Sequence, residues 1–199
     1  MRITPITGTI GAELSGLDLK QPISTDLAQA LRVALDTHLV LVIQGQFLDA
    51  NQHRLLSKVF GNTMANPYAP GKPPYPEMTY VIKEADDRAG VFGGGWHTDL
   101  SFFDQPPNGS VLCALEVPPF GGDTLFSSQQ AAWDALAQPL REILDNRKLA
   151  HVGKPYGIKW APPADEQSMK GSSLRNDPDA RYELLLVFLQ SHLQLQFHQ

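Results

Sequence analysis

The residues best suited to chemistry in this sequence are a histidine and an aspartate two positions apart, His97 and Asp99. In an extended segment, side chains two positions apart project from the same face, so the imidazole and the carboxylate can reach one metal ion. This donor pair suits Fe(II), and one more histidine would complete a facial triad of two histidines and one carboxylate. The spacing alone favours a hydrogen-bonded pair on a surface strand, because His-x-Asp occurs by chance in many chains.

The neighbours of this pair favour a ligand pocket. Glycines occupy positions 93–95, where they remove side chains that would hinder a bend or a close approach to a ligand. The aromatic side chains of Trp96, Phe102 and Phe103 can wall off a dry pocket, although ordinary core packing explains them equally well. A zinc hydrolase is a further interpretation, but catalytic zinc usually has three protein ligands and only two are found here.

Length and composition define the setting of this site. The 199 residues, 42% apolar and 19% charged, predict one compact domain over residues 1–199 that needs no disulfide. The net charge of −5, with scattered lysines and arginines, argues against binding of nucleic acid or an anionic membrane surface. We find no signal peptide and no apolar run of membrane-spanning length, and the single Cys113, predicted to be a small buried residue, favours a reducing compartment. We therefore expect a cytoplasmic protein.

Apolar spacing and capping residues predict the first elements of the fold. A helix should begin after Ser24 and end near His38, followed by a buried strand over Leu39–Ile43. Asp49 should cap a second helix, with Gln52 completing a capping box, and Gly61 should mark the end of that helix.

The later part of the chain is less regular. Five prolines between Asn66 and Glu77 predict a long surface loop of the kind that serves as a functional lid, and residues 151–181 also read as loop or poorly ordered chain. The remaining predicted elements are strands over Thr79–Lys83 and Ser110–Val117, a helical region opened by Ser127 and Ser128 and interrupted at Pro139, and a short helix over Tyr182–Phe197.

Several motifs in collinear order resemble the taurine dioxygenase (TauD/TfdA) family of Fe(II)- and 2-oxoglutarate-dependent dioxygenases. The match runs from about Thr4 to Leu149. The motifs that carry it are Ile10–Leu19, Phe60–Gly61, Trp96–Asp99 with Ser101–Phe102, Pro106–Pro107, Gly121–Leu125 and the helix around Ala131–Leu144.

The resemblance implies a mixed α/β fold with a mainly β core, a double-stranded β-helix (jelly-roll, cupin-like) with flanking helices. It implies a dioxygenase that uses Fe(II), 2-oxoglutarate and O2 to hydroxylate a small organic substrate, with release of succinate and CO2. His97 and Asp99 match the first two iron ligands, and Thr124 matches a threonine that hydrogen-bonds 2-oxoglutarate. Without the resemblance, Thr124 is simply a β-branched residue that starts a strand after a Gly-Gly-Asp turn.

The sequence departs from the family pattern in its C-terminal region. The distal iron-binding histidine and the arginine that clamps 2-oxoglutarate have no counterpart, because the neighbours of His192 and His198 do not match the distal motif. We expect that a stretch is missing near Ala180–Tyr182. An alternative to the enzyme is therefore an inactive, truncated jelly-roll that only binds a ligand or a partner.

The substrate is predicted only as a class. Where taurine-specific relatives hold the sulfonate, this chain has Asn66 and Tyr68 in the loop and Gly93 before the histidine, which argues against taurine. A sulfonate-, carboxylate- or sulfate-like substrate is expected, with Leu100 and Phe102 lining its pocket by resemblance, or belonging to the core. Self-association into a homo-oligomer is expected only by analogy with relatives.

Overall fold

The computed structural model describes residues 1–67, 69–82, 95–119, 121–145 and 147, together with the backbone of residues 184–189 and 193–197. Within these residues the elements follow one another as β1 (Arg2–Pro5), β2 (Ala12–Ser15), α1 (Thr25–His38), β3 (Val40–Gln44), α2 (Ala50–Ser57), β4 (Gly109–Ala114), β5 (Thr124–Ser128), α3 (Gln129–Asp134), α4 (Gln138–Leu144), β6 (Leu184–Leu189) and β7 (Leu193–Phe197).

Both helices and strands build the described part of the chain, so the fold is mixed α/β. The strands form two sheets. The larger sheet has the order β1-β2-β3-β6-β4 and the smaller sheet pairs β5 with β7. Strands β2 and β3 run parallel, whereas β6 is antiparallel to both of its neighbours, β3 and β4. The central position of β6 joins the N-terminal strands to β4, which follows the segment that carries the candidate metal ligands.

Helix α1 covers the larger sheet and builds the core. The Ser24 hydroxyl accepts a hydrogen bond from the Leu27 amide, which satisfies one of the unpaired donors at the start of the helix. The buried face of α1 carries Leu31, Ala34 and Leu35. The largest fully buried side chains of the described residues are Leu14, Leu31, Leu41, Ile43, Leu48 and Leu56. The predicted helix and the strand that follows it are both confirmed.

Helix α2 begins with the predicted capping box. The Asp49 carboxylate accepts from the Gln52 amide, and the Gln52 side chain accepts from the Asp49 amide. The prediction that Gly61 marks its end is wrong, because the helix ends at Ser57 with Lys58 as the C-cap. The amides of Val59 and Phe60 then donate to carbonyls three residues earlier. The residues between the helix and Gly61 therefore form a tighter turn instead of continuing the helix.

From Ser110 onwards, the strand and the helices begin close to where the sequence predicts. The predicted strand over Ser110–Val117 is confirmed as β4, which is shorter. The Ser128 hydroxyl caps α3 by accepting from the Ala131 amide, and α4 restarts at Gln138 with Pro139 in its first turn. Proline fits this position because it has no amide hydrogen and the first turn requires none.

Two predictions of secondary structure are wrong. The short helix predicted over Tyr182–Phe197 is replaced by strands β6 and β7, because their backbones pair with β3, β4 and β5. The strand predicted over Thr79–Lys83 does not form in residues 79–82, where the Thr79 hydroxyl instead donates to the Ala69 carbonyl. Position 83, the loop predicted over residues 151–181 and the stretch expected to be missing near Ala180–Tyr182 lie outside the described residues.

No helix among the described residues is long and apolar enough to cross a membrane.

Candidate active site

The two candidate metal ligands lie together. His97 Nε2 is 3.0 Å from Asp99 Oδ1, and the two side chains are 17% and 38% exposed. His97 occupies an isolated bridge position, and a turn begins at Asp99, so the segment is extended only in part. The alternation of an extended chain nevertheless holds across Thr98, and both side chains project to the same side.

A backbone carbonyl selects the tautomer of the neutral imidazole. His97 Nδ1 is 2.7 Å from the Gly95 carbonyl oxygen, and a carbonyl only accepts, so Nδ1 carries the hydrogen. In the neutral ring, Nε2 then has a lone pair and faces the Asp99 carboxylate. This arrangement of a ring nitrogen and a carboxylate oxygen suits a shared proton or a bound metal ion.

The turn after Asp99 brings two aromatic rings together. Leu100 has a φ of 48°, an uncommon conformation for a residue with a branched side chain. Its carbonyl accepts from the Phe103 amide, and the rings of Phe102 and Phe103 pack edge to face at 5.0 Å. Phe102 and Phe103 line an open depression of about 610 Å³. The expectation that Trp96 closes a dry pocket is not met, because this residue is 48% exposed.

Thr98, between the two candidate ligands, is tied to the start of α3. The Gln129 side-chain amide donates a hydrogen bond of 2.8 Å to the Thr98 hydroxyl. Gln129 directly follows β5, whose first residue is the half-buried Thr124. Strand β5, which begins with the candidate 2-oxoglutarate contact Thr124, therefore leads directly into Gln129, the residue that contacts the His97–Asp99 segment.

Thr124 is also positioned by its own strand. It follows two glycines with positive φ, Gly121 and Gly122, and pairs with the backbone of Phe197. This placement fits both the role implied by the resemblance and a simple strand start.

Asn66 lies at the entrance of the proline-rich loop. Its backbone carbonyl accepts from the Ala69 amide at 3.3 Å, and Asn66 is half-buried. Tyr68 and Gly93, the other positions considered for substrate, lie outside the described residues.

Other described histidines serve different purposes. His53 Nε2 lies 3.0 Å from the Val111 carbonyl, and burial lowers the pKa of His53 despite this hydrogen bond. His38 lies in the last turn of α1. In the part of the chain that the structure describes, no group of three or more His, Cys, Asp and Glu side chains is arranged to hold a metal ion. The positions considered for a distal ligand, His192 and His198, are outside it.

Two contacts had no signal in the sequence. Gln129 sits 31 residues from Thr98, and Arg54 forms an ion pair with Glu77, which lies 23 residues away. Neither spacing corresponds to a local pattern, so only the folded chain reveals these partners.

The chain belongs to the taurine catabolism dioxygenase TauD, TfdA family, whose model matches residues 2–195. It is 31% identical over 150 residues to an alpha-ketoglutarate-dependent sulfate ester dioxygenase of Pseudomonas putida, covering 75% of this chain and 48% of that protein. It is 30% identical over 168 residues to an alpha-ketoglutarate-dependent sulfonate dioxygenase of Saccharomyces cerevisiae, covering 77% and 40%. The chain thus spans about half the length of these relatives, or less.

The fold is similar to that of a solved taurine dioxygenase from Burkholderia xenovorans. The TM-score is 0.71 at 22% sequence identity, and the superposition covers 100% of this chain and 82% of that structure. At this identity the likeness concerns the fold alone.

Proposed function

We propose that this chain is an Fe(II)- and 2-oxoglutarate-dependent dioxygenase that hydroxylates a small sulfate-, sulfonate- or carboxylate-bearing substrate. One oxygen atom of O2 enters the substrate as a hydroxyl group, the other enters succinate, and CO2 is released. Membership of the family supports this reaction, and the observation that carries it is the 3.0 Å separation of His97 Nε2 and Asp99 Oδ1.

The chemistry of this donor pair fits iron. Metal–ligand bonds of about 2.1 Å that meet at a right angle place their donor atoms about 3.0 Å apart. The Gly95 carbonyl holds the hydrogen on Nδ1 and so leaves Nε2 available as a ligand. Metal-binding histidines usually donate a hydrogen bond in this way from the ring nitrogen that does not bind the metal. Bound iron would supply the activation of O2 next to 2-oxoglutarate.

The protein's own residues position the reactants. His97 and Asp99 would hold the metal, and Gln129 fixes Thr98 between them. Thr124 would donate its hydroxyl hydrogen to a carboxylate of 2-oxoglutarate. The two sheets would form the double-stranded β-helix of the family, with β5 and β7 in the smaller sheet.

The substrate would approach the turn after Asp99. Leu100 and Phe102 would provide apolar contacts, and Asn66 would donate a hydrogen bond from its side-chain amide to an anionic oxygen. The sulfate ester and sulfonate named for the two relatives support an anionic substrate with an organic tail.

The first test measures cosubstrate binding. Without O2, addition of Fe(II) and 2-oxoglutarate to the full chain should give a visible charge-transfer absorption, and His97→Ala and Asp99→Ala should remove it. His38→Gln, which changes a histidine away from the pair, should retain the band. A wild-type protein that is folded by circular dichroism but shows no band contradicts the proposal.

The second test measures turnover. Succinate release in air should depend on an added substrate, for which we would compare hexyl sulfate, taurine and 2,4-dichlorophenoxyacetate. Higher turnover with hexyl sulfate than with taurine is expected. Succinate formation that no organic anion stimulates would argue against a hydroxylase for this class.

A second candidate function is ligand binding without turnover. It is favoured by the C-terminal sequence, where the neighbours of His192 and His198 do not match the family's distal iron-binding motif. Saturable binding of 2-oxoglutarate with Mn(II), measured by calorimetry, without succinate release would support this function instead.

A further inference from the structure

The proline-rich loop over residues 69–79 has its own internal structure. Its backbone amides at Gly71, Tyr75 and Met78 donate to the carbonyls of Pro76, Lys72 and Tyr75 at 2.9, 2.9 and 3.0 Å. The Thr79 hydroxyl closes the loop by donating to the Ala69 carbonyl. Chain ends that meet in this way are typical of a compact Ω-loop.

The loop leaves no room at its centre. A Cβ atom added to Gly71 would lie 2.0 Å from the Met78 carbonyl oxygen and 2.5 Å from that of Tyr75. Ala69 at the start of the loop is only 4% exposed. The loop is thus a packed unit.

One ion pair fastens this unit to α2. Arg54 Nε donates to Glu77 Oε1 at 2.6 Å, and the Glu77 side chain is 13% exposed. A hydrogen bond from its own backbone amide, and then Arg54 and Lys58, hold the pKa of Glu77 below its usual value although burial opposes this shift. Glu77 is therefore ionised when it pairs with Arg54 of α2.

Helix α2 is itself fixed to the rest of the fold. Leu56 is fully buried in the core, and the neighbour of Arg54, His53, donates to the Val111 carbonyl in β4. At the start of the loop, the Asn66 carbonyl accepts a hydrogen bond from the Ala69 amide. The position of the loop therefore influences the position of Asn66.

From these contacts we propose that the Arg54–Glu77 ion pair is a positioning clamp, which holds loop 69–79 and Asn66 ready to bind the anionic substrate. This inference rests on the proposed function. The ion pair joins the loop to α2 and would act on the substrate through the loop. Its loss should therefore affect substrate binding and leave 2-oxoglutarate binding unchanged.

The first arm of the test follows the loop itself and needs no activity. In the full chain, Glu77→Gln should accelerate hydrogen exchange of the loop amides about tenfold, as measured by mass spectrometry. Asp36→Asn is the control, because it removes the same charge from an exposed position of α1. Gly71→Ala should accelerate exchange as well, by steric disruption without a change of charge.

The second arm follows the substrate. Glu77→Gln should raise KM for hexyl sulfate about three- to tenfold with little change in kcat, as expected for loss of a partly exposed ion pair. The Kd of 2-oxoglutarate, measured with Mn(II), should stay constant. Exchanging the partners in the double variant Arg54→Glu with Glu77→Arg should bring KM back towards the wild-type value.

The outcomes separate the clamp from the proposed function. Unchanged hydrogen exchange of the loop in Glu77→Gln overturns the clamp. Faster exchange with an unchanged KM for hexyl sulfate also overturns it, as does a Kd of 2-oxoglutarate that rises as much as this KM. Absence of turnover in the wild-type chain instead overturns the proposed function and the substrate role with it, while hydrogen exchange still reports whether the ion pair holds the loop.

Discussion

The side-chain amide of Gln129 donates a 2.8 Å hydrogen bond to the hydroxyl of Thr98, the residue between the two candidate metal ligands. Because Thr98 shares its backbone with both neighbours, this contact restrains the orientation of His97 and Asp99 together. A residue at the start of α3 thus reaches the candidate metal centre without offering a ligand.

Removal of this contact should weaken metal binding. We expect Gln129→Ala to raise the Kd of Mn(II) about tenfold, the size typical of residues that orient metal ligands. Gln138→Ala is a matched control, since the Gln138 amide also donates at 2.8 Å, but to Glu142 on α4. Equal metal affinities of the two variants in calorimetric titrations would show that Thr98 needs no support.

The carboxylate of Asp99 should be indispensable. Asp99→Ala removes an anionic donor 3.0 Å from His97 Nε2, and we expect the Kd of Fe(II) or Mn(II) to rise more than about 100-fold. Asp99→Glu retains the charge but displaces it, so an intermediate loss is expected. Full affinity in Asp99→Ala, with the fold intact by circular dichroism, would remove this residue from the metal site.

Burial of His53 predicts a loss of stability in acid. Its pKa is lowered in the folded protein from 6.5, so below that value the unfolded chain takes up a proton more readily. Stability is therefore full above pH 6.5 and falls as the pH decreases, by at most about 1.4 kcal/mol per pH unit for one group. Urea unfolding at pH 7.5 and 5.5 measures this loss, which should be about 1 kcal/mol smaller in His53→Gln. An identical pH dependence in both proteins would contradict the assignment.

Cys113 should be almost inert in the folded protein. Burial raises the pKa of its thiol to about 12, so the reactive thiolate is scarce at pH 8. We expect N-ethylmaleimide to label the native chain more than about 100-fold more slowly than the chain in urea. Comparable rates would mean that Cys113 is accessible.

Much of the fold was predictable because the signals were local. Ser24 and Asp49 cap their helices through bonds within three residues, and Pro139 restarts a helix through its own covalent geometry. The helix expected over Tyr182–Phe197 fails for the opposite reason. Leucine and glutamate favour helices, but β6 lies between β3 and β4, and pairing with strands far away in sequence outweighs the local preference. The strict apolar–polar alternation of Leu193–Phe197 did signal a strand.

In the candidate site, too, the local features were predictable from the sequence and the long-range contacts were not. The same-side projection of His97 and Asp99 follows from backbone alternation over two residues, and the structure brings their donor atoms together. The contacts of Gln129 and Glu77 depend on where distant segments meet, which no spacing encodes. The exposure of Trp96 was missed because an aromatic residue beside a candidate ligand looks like a pocket wall whatever surrounds it.

Strands β6 and β7 stand only three residues apart, yet one completes the larger sheet and the other the smaller. During synthesis on the ribosome, β3 and β4 must therefore wait for residues 184–189 before they share a common partner, and β5 must wait for residues 193–197. Until then, strand edges stay open to pairing with other nascent chains. The yield of this protein in cells should accordingly depend on how well chaperones shield the growing polypeptide.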